Sequence, residues 1–251
     1  MTVFYYTSTG NSLSVAKSIG GNLISIPQVY HKSRARYKDN AIGVVFPVYN
    51  LSVPKMVQDF LDKVEFESDY IFAVGTYGNM AGPCMYNLQK RALNKGWSFD
   101  YTAQILMVDN FLPMFEMSAE ESKLTQKKTE EKIEQLVCDI ESRRHQQTTA
   151  GLPMRALAAV LGLGGKPDKN AQKYIINGSC NRCGTCAKVC PAKNISVSDK
   201  VHFAAHCHGC LACAHLCPQN AIHLKNEKSD KRWINPQVSL TELIKANNLT
   251  D

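Results

Sequence analysis

The sequence has no long hydrophobic run, and its first residues lead us to expect no export signal. None of its apolar stretches approaches the roughly 20 residues that a helix needs to cross a bilayer, so we expect no membrane span. Residues 1–6 lack a basic segment and a small-residue cleavage site, and their apolar character predicts a strand that starts at once. We therefore expect a cytoplasmic protein.

The sequence also lacks the motifs of several enzyme classes. It contains no G-x-G-x-x-G turn and no Walker A loop with its lysine. Direct entry of hydride from a nicotinamide cofactor therefore has no motif support. No set of catalytic acids and bases is assembled either. Asp109 and Glu116 are the only candidates, and we expect both to be surface carboxylates.

Cysteine, in contrast, is abundant and unevenly placed. Eight of the ten cysteines fall between Cys180 and Cys217, while Cys84 and Cys138 stand alone. A disulfide framework suits a small secreted chain, whereas closely set thiols in a reducing compartment are better explained as metal ligands. We expect Cys84 to be buried and inert, with a reactive thiol as the alternative, and Cys138 to lie in the core.

The eight clustered cysteines form an internal repeat. The spacing C-x2-C-x2-C-x3-C-P occurs twice, beginning at Cys180 and again at Cys207. Bacterial proteins bind [4Fe–4S] clusters with this run, and the fourth cysteine of each copy ligates the other cluster. The spacing therefore predicts two clusters. The ligands are Cys180, Cys183, Cys186 and Cys217 for the first cluster, and Cys207, Cys210, Cys213 and Cys190 for the second.

Two other ligand sets are less consistent with this spacing. Structural zinc sites prefer two C-x2-C pairs with a longer gap between them. Imidazole ligation, as in Rieske centres, could use four histidines near the second run, but eight cysteines already complete both clusters. We expect these histidines to be exposed or hydrogen-bonded: His202, His206, His208 and His215.

The formal net charge of +7 is weak evidence for a nucleic-acid partner, because it counts every cysteine as neutral. Two clusters with eight thiolates add about −4 in the oxidised state. The hydrophobic share of 44 % and the charged share of 20 % are those of an ordinary globular protein. We expect no nucleic-acid partner.

The N-terminal residues 1–145 alternate between apolar strands and amphipathic helices. Strands are predicted near 3–6, 23–26, 41–46, 70–74 and 101–108, and helices near 13–19, 54–64, 85–93 and 118–144. Such alternation predicts an α/β fold with a doubly wound, five-stranded parallel sheet. Only the segment 27–40 is short, basic and not clearly helical, which leaves the second crossover uncertain.

The remaining residues divide into three segments. Residues 146–173 are rich in glycine and proline and predict a linker with a short apolar helix at 154–163, which we expect to make an interdomain or subunit contact and not to bind a membrane surface. Residues 174–226 form the cysteine-rich module, which predicts a small α+β domain. Residues 227–251 form a C-terminal tail with a short helix near 240–246.

The turn at residues 7–12, Thr-Ser-Thr-Gly-Asn-Ser, joins the first strand to the first helix. Its hydroxyl groups, its glycine and the helix N-terminus together favour an anion. The turn resembles the FMN-phosphate loop of flavodoxins, with the pattern T/S-x-T-G-x-[ST]. The whole chain resembles the flavodoxin–ferredoxin fusion proteins of anaerobic bacteria and archaea, and further similar segments are 45–49, 109–113 and 232–236.

This resemblance implies an FMN-binding domain followed by a ferredoxin-like domain with two [4Fe–4S] clusters. FMN would lie at the carboxyl ends of the strands, with its phosphate held by Ser8, Thr9, Gly10, Asn11 and Ser12. Two loops would flank the isoalloxazine, namely Pro47, Val48, Tyr49 and Asn50, and Thr76, Tyr77, Gly78 and Asn79. Tyr49 or Tyr77 would offer a stacking face.

The sequence leaves three functions open. The first is electron transfer between FMN and the clusters, with redox partner proteins as donor and acceptor. The second is an FMN-dependent reductase of a small molecule that is supplied with electrons by its own clusters. The third is a two-cluster ferredoxin whose flavodoxin-like domain only docks partners.

Overall fold

The computed structural model describes residues 1–31, 34–149, 151, 153 and 173–248. In these ranges no helix combines the length and the apolar character that crossing a membrane requires. The predicted helix at 154–163 lies outside the described residues, as does most of the predicted linker.

Five parallel strands form the central sheet of the N-terminal part. They are β1 (Thr2–Tyr5), β2 (Asn22–Ser25), β4 (Ile42–Pro47), β6 (Ile71–Tyr77) and β7 (Tyr101–Leu106). Their order in the sheet is β2-β1-β4-β6-β7, which is the 2-1-3-4-5 order of flavodoxin-like folds. The predicted fold class is confirmed. The central strands are continuous apolar runs because helices cover both faces of the sheet.

The second crossover is made by a turn and a strand. Among the described residues after β2, the chain forms one helical turn, α2 (Ile26–Val29), and then β3 (Ala35–Lys38), which pairs in parallel with β5 (Val64–Glu67). The other helices of this part follow the doubly wound pattern. They are α1 (Asn11–Ile19), α3 (Lys55–Lys63) and α4 (Cys84–Leu93). Cys84 is fully buried at the start of α4, as expected.

The single helix predicted over 118–144 is wrong. The chain forms three helices there, α5 (Met117–Ser122), α6 (Leu124–Lys127) and α7 (Thr129–Glu141). The first break is at Lys123 and the second at Lys128, whose φ of 49° is left-handed. The second break allows the buried ammonium of Lys127 to donate to the carbonyl oxygen of Met107, 2.6 Å away, and to pair with the carboxylate of Glu120.

The prediction that Cys138 lies in the core is also wrong, because this residue is exposed. The buried apolar face of α7 consists of Ile133, Leu136 and Ile140. Cys138 is one residue after the apolar pair Leu136–Val137 and points to the opposite face of the helix, since residues two apart on a helix do not share a face.

The cysteine-rich module is built from two short antiparallel strand pairs and two single-turn helices. Strand β8 (Tyr174–Ile176) pairs with β11 (Ile222–Leu224), and β9 (Ile195–Val197) pairs with β10 (Val201–Phe203). The helices α8 (Thr185–Lys188) and α9 (Ala212–His215) lie within the two cysteine runs and each contains the third cysteine of its run. This arrangement is ferredoxin-like, as predicted.

The C-terminal tail returns to the first helix of the chain. Its helix α10 (Leu240–Asn247) starts at a capping box between Ser239 and Glu242. It begins at the predicted residue and ends one residue later than predicted. One hydrophobic core joins Leu13 of α1 to Ala212 of the cysteine-rich module and to Leu243 of the tail. The cysteine-rich module and the tail are therefore packed on the sheet through a shared core.

Candidate metal centre

The two cysteine runs enclose two cavities. One cavity is lined by Cys180, Cys183, Cys186 and Cys217; we call it the first site. The other is lined by Cys190, Cys207, Cys210 and Cys213; we call it the second site. Each site thus receives three sulfurs from one run and the fourth from the other, which is the grouping that the spacing predicts.

The repeat in the sequence is also a repeat in the backbone. Three positions with left-handed φ recur at the same 27-residue interval that separates Cys180 from Cys207. The pairs are Arg182 and Gly209 (59° and 66°), Gly184 and Leu211 (78° and 60°), and Lys193 and Asn220 (48° and 44°). These residues bend both runs in the same way, so that three thiols of each run converge on one cavity.

Backbone amides point at the sulfur of the fourth cysteine in each run. The N–H of Asn194 donates to Cys190 Sγ and the N–H of Ala221 donates to Cys217 Sγ, both at 3.3 Å. These donors are again 27 residues apart. A hydrogen bond to the charged form favours that form, so both amides stabilise a thiolate at the point where the chain crosses to the other site.

The first site lies near the surface. Cys183 is exposed, and Cys180 and Cys217 are half-buried. The hydroxyl of Thr185 lowers the pKa of the Cys183 thiol, whereas burial raises the pKa of Cys186 to about 11. One side of this site is therefore open to solvent and to other molecules.

The second site is enclosed by protein. Cys207 and Cys213 are buried, and burial raises the pKa of the Cys210 and Cys213 thiols. A stacked aromatic pair lines the same cavity, with the rings of Tyr174 and Phe203 4.9 Å apart. Thiols in such surroundings become thiolates when a metal replaces their protons.

The second site adjoins the carboxyl ends of β1 and β4. Tyr6, which follows β1, is completely buried and its ring contacts that of Tyr49, which follows β4. Burial and the nearby Cys210 thiol raise the pKa of both tyrosines. Cys210 of the second site packs against the hydrophobic core that contains Tyr5 of β1 and Val45 of β4. The second site therefore lies beside the crevice where the strand order reverses, in which doubly wound proteins bind their ligands.

The predicted phosphate loop is covered by protein atoms. All five of its residues, 8–12, are buried, and none of the four with side chains is more than 9 % exposed. Thr9 Oγ1 accepts a hydrogen bond from Asn110, Asn11 donates to the Val108 carbonyl oxygen, and Ser12 shares a hydrogen bond with Thr76 at 2.8 Å.

The outer side of Gly10 is filled as well. A Cβ built on this residue would lie 2.9 Å from Asn235 Cβ and 3.1 Å from Val238 Cβ. Both of these residues belong to the tail. The glycine, with a left-handed φ of 104°, therefore allows a close approach of the tail to the loop.

The structure brings the two predicted isoalloxazine loops together. The N–H of Val48 donates to the Thr76 carbonyl oxygen at 2.8 Å, next to Pro47 at the end of β4. Tyr49 is half-buried, and Asn50 is exposed in a tight turn with φ of 47°.

The second of these loops is closed by a carboxylate. Tyr77 is half-buried at the end of β6, and Asn79 donates to Asp109 Oδ2 from its backbone and its side chain, both at 3.1 Å. A Cβ on Gly78 would lie 2.2 Å from Asp109 Cβ. Asp109 therefore holds this loop. The other expected surface carboxylate, Glu116, caps helix α5.

Sequence reasoning missed the residues that join the loop to the rest of the chain. His215 is buried and uses both ring nitrogens. Its Nε2 bonds to the Asn110 carbonyl oxygen at 2.8 Å, and its Nδ1 accepts from the Trp233 N–H at 3.1 Å. Burial lowers the pKa of His215 to about 4, so this bridge uses the neutral ring. Segments 109–113 and 232–236 carry the resemblance, but nothing in them indicates this contact.

The comparisons with known proteins agree with the cysteine geometry. Residues 172–218 match the family model of the 4Fe-4S dicluster domain. No curated protein matches the chain. A solved structure from Bacteroides uniformis ATCC 8492, whose protein is described as a flavoprotein, is 15 % identical with a TM-score of 0.32, over 42 % of this chain and 89 % of that one. The cysteine-rich module is thus similar to 4Fe-4S domains, which supports an iron–sulfur redox role.

Proposed function

We propose that the chain binds two [4Fe–4S] clusters and transfers electrons one at a time between redox partner proteins. The single observation that carries this proposal is the pair of cavities, each lined by four cysteines in the crossed arrangement. Each cluster, when bound, accepts and releases one electron. A cytoplasmic location is part of the same proposal, because free thiols in this number need a reducing compartment.

The chain's own groups prepare both sites for anionic ligands. The amides of Asn194 and Ala221 stabilise the crossing thiolates. At the second site, the stacked Tyr174 and Phe203 rings form an apolar wall of the cavity. An apolar wall lowers the local dielectric constant and strengthens each N–H···S contact.

FMN is the other cofactor that the resemblance implies, and the loop that would hold its phosphate does not fit it as folded. The side chains of Thr9, Asn11 and Ser12 already have protein partners, and Asn235 fills the space beside Gly10. Our proposal therefore contains no step through a flavin. Of the three functions that the sequence leaves open, these contacts favour the two-cluster ferredoxin.

Metal analysis of the full-length protein, reconstituted without oxygen, tests this function. We expect about eight irons and eight sulfides per chain and prompt oxidation of the reduced protein by cytochrome c in a stopped-flow instrument. The Cys186→Ser variant should lose about half of the iron, whereas Cys138→Ser, an exposed cysteine outside both sites, should keep all of it. About two zinc ions per chain and no iron would contradict the proposal.

A further inference from the structure

The crevice that doubly wound proteins use for a ligand is occupied here by the chain itself. In such sheets the ligand lies outside the carboxyl ends of the strands, at the point where the strand order reverses. In this sheet that point lies between β1 and β4. The loop after β1 is covered on one side by the tail, and Cys210 of the second site packs against the same core as Leu13 in the helix that follows the loop.

Asn235 makes the closest contacts between the tail and the loop. Its backbone N–H donates to the Thr9 carbonyl oxygen at 2.8 Å. Its side-chain amide donates to Asn11 Oδ1 at 3.1 Å and to Ser14 Oγ at 3.2 Å. The tail thus bonds to acceptors of the loop and of the start of α1, and its side chain lies beside the helix N-terminus that a phosphate would approach.

A closed circuit of hydrogen bonds ties the loop to the cysteine-rich module. Trp233 Nε1 donates to Asn11 Oδ1 at 3.4 Å, and the Trp233 backbone N–H donates to His215. His215 binds the carbonyl oxygen of Asn110, whose side chain donates back to Thr9 in the loop. Because His215 follows Cys213 by two residues, this circuit fixes the second site over the loop.

The tail helix adds anchors on the other side of the loop. The side chain of Asn247, which is fully buried, donates to the Thr7 carbonyl oxygen at 3.2 Å. The Ser25 hydroxyl at the end of β2 donates to the Ala246 carbonyl oxygen at 2.5 Å. Residues 233–247 therefore bond to the loop at two points, through Asn235 at Thr9 and through Asn247 at Thr7.

We infer that the loop at residues 7–12 is a socket for the tail, and that the socket positions the second site and takes no FMN. The N-terminal part of the chain then covers the second site and shields it from solvent, and Asn235 is a positioning residue for that site. This inference concerns the role of the loop. The iron count tests the proposed function separately.

The first test titrates FMN into the reconstituted full-length protein and follows flavin fluorescence. We expect no quenching, and no flavin released when the purified protein is denatured. One FMN bound per chain would overturn the inference, whatever the iron content, and it would leave the two-cluster assignment intact.

The second test replaces the anchor and compares it with its neighbour. In Asn235→Ala, hydrogen exchange of the amides of residues 7–14 should become about tenfold faster, because two buried side-chain hydrogen bonds are lost. A chelator should also remove the iron of the second site faster, while the first site keeps its rate. Ile234→Ala, whose side chain is 37 % exposed, should change neither rate.

If Asn235→Ala leaves both the hydrogen exchange of residues 7–14 and the rate of iron release from the second site unchanged, the tail does not position the second site through this loop. If that variant does not fold, the fluorescence titration of the unaltered protein still decides the matter.

Discussion

The first and second sites share one spacing and one backbone conformation, but their surroundings differ. The first site has an exposed ligand in Cys183 and a hydroxyl that lowers the pKa of that thiol. The second site has two buried cysteines, Cys207 and Cys213, and burial raises the pKa of the Cys210 and Cys213 thiols. Cys210 also packs against the core of the sheet. A shared cysteine spacing therefore does not imply that the two sites have the same burial or the same thiol pKa values.

The difference assigns different tasks to the two sites. In the proposed electron transfer, an electron exchanged with another protein must pass close to the surface, so we expect the exchange at the first site. Reduction adds a negative charge to a cluster that is already anionic, and burial disfavours added charge. We therefore expect the second site to have the lower potential of the two, apart from the effect of its N–H···S bonds.

The largest effect should come from removing a ligand of the buried site. Serine oxygen is a poor replacement for a thiolate in an iron–sulfur cluster. Cys213→Ser and Cys183→Ser should each lose about four irons. Because metal binding contributes to folding free energy, Cys213→Ser should also melt roughly 5–10 °C below Cys183→Ser, as measured by anaerobic differential scanning fluorimetry. Equal melting temperatures would show that the second site is not part of the shared core.

The next largest effect should come from removing His215, which is hydrogen-bonded to both Asn110 and Trp233 beside the second site. His215→Ala leaves the Trp233 N–H and the Asn110 carbonyl oxygen buried without their partner, which costs about 2–4 kcal/mol in the free energy of unfolding. Urea unfolding of the holoprotein measures this cost. His202→Ala, whose side chain is 48 % exposed, should change the free energy by less than about 0.5 kcal/mol.

What the sequence could predict follows from the range of the interactions. The two groups of four cysteines are set by spacings of two and three residues, and the sheet by apolar runs of four to seven residues, so both can be recognised locally. The crossed grouping of the eight cysteines is likewise implied by the repeat. These parts of the structure needed no knowledge of distant contacts.

The parts that were missed depend on residues far apart in the chain. The break at Lys128 exists because the Lys127 ammonium reaches Met107, which lies in a different loop. The phosphate loop has the sequence of an anion site, and only the return of Asn235, 224 residues after Asn11, covers it. Neither contact has a local signal in the sequence.

A smaller effect concerns access to the two sites. An iron chelator added to the oxidised holoprotein should release iron in two phases of equal amplitude. The fast phase belongs to the first site, and the slow phase should be about tenfold slower because the second site opens only through local unfolding. Absorbance of the iron–chelator complex measures both phases. In Cys183→Ser only the slow phase should remain; a remaining fast phase would assign the accessible cluster to the second site.

The smallest effect should come from the surface contact of the tail helix. Lys17 and the Ser239 cap lower the pKa of Glu242 to about 2 from 4.5. A depressed carboxyl pKa contributes stability above the unfolded value, and this contribution is lost as the pH falls from about 4.5 towards 2. Between pH 6 and 8 the contribution should therefore be constant.

Glu242→Gln removes the charge and keeps the side-chain acceptor of the capping box. Both partners of the Lys17 ion pair are 40 % exposed, so the substitution should cost less than about 1 kcal/mol. Urea unfolding should give the same cost at pH 6 and pH 8 and a smaller cost in 1 M salt, at which the screening length is about 3 Å. A cost as large as that of His215→Ala would mean that the tail is held mainly at its surface, and the buried contacts around Asn235 would then not be what fixes the second site.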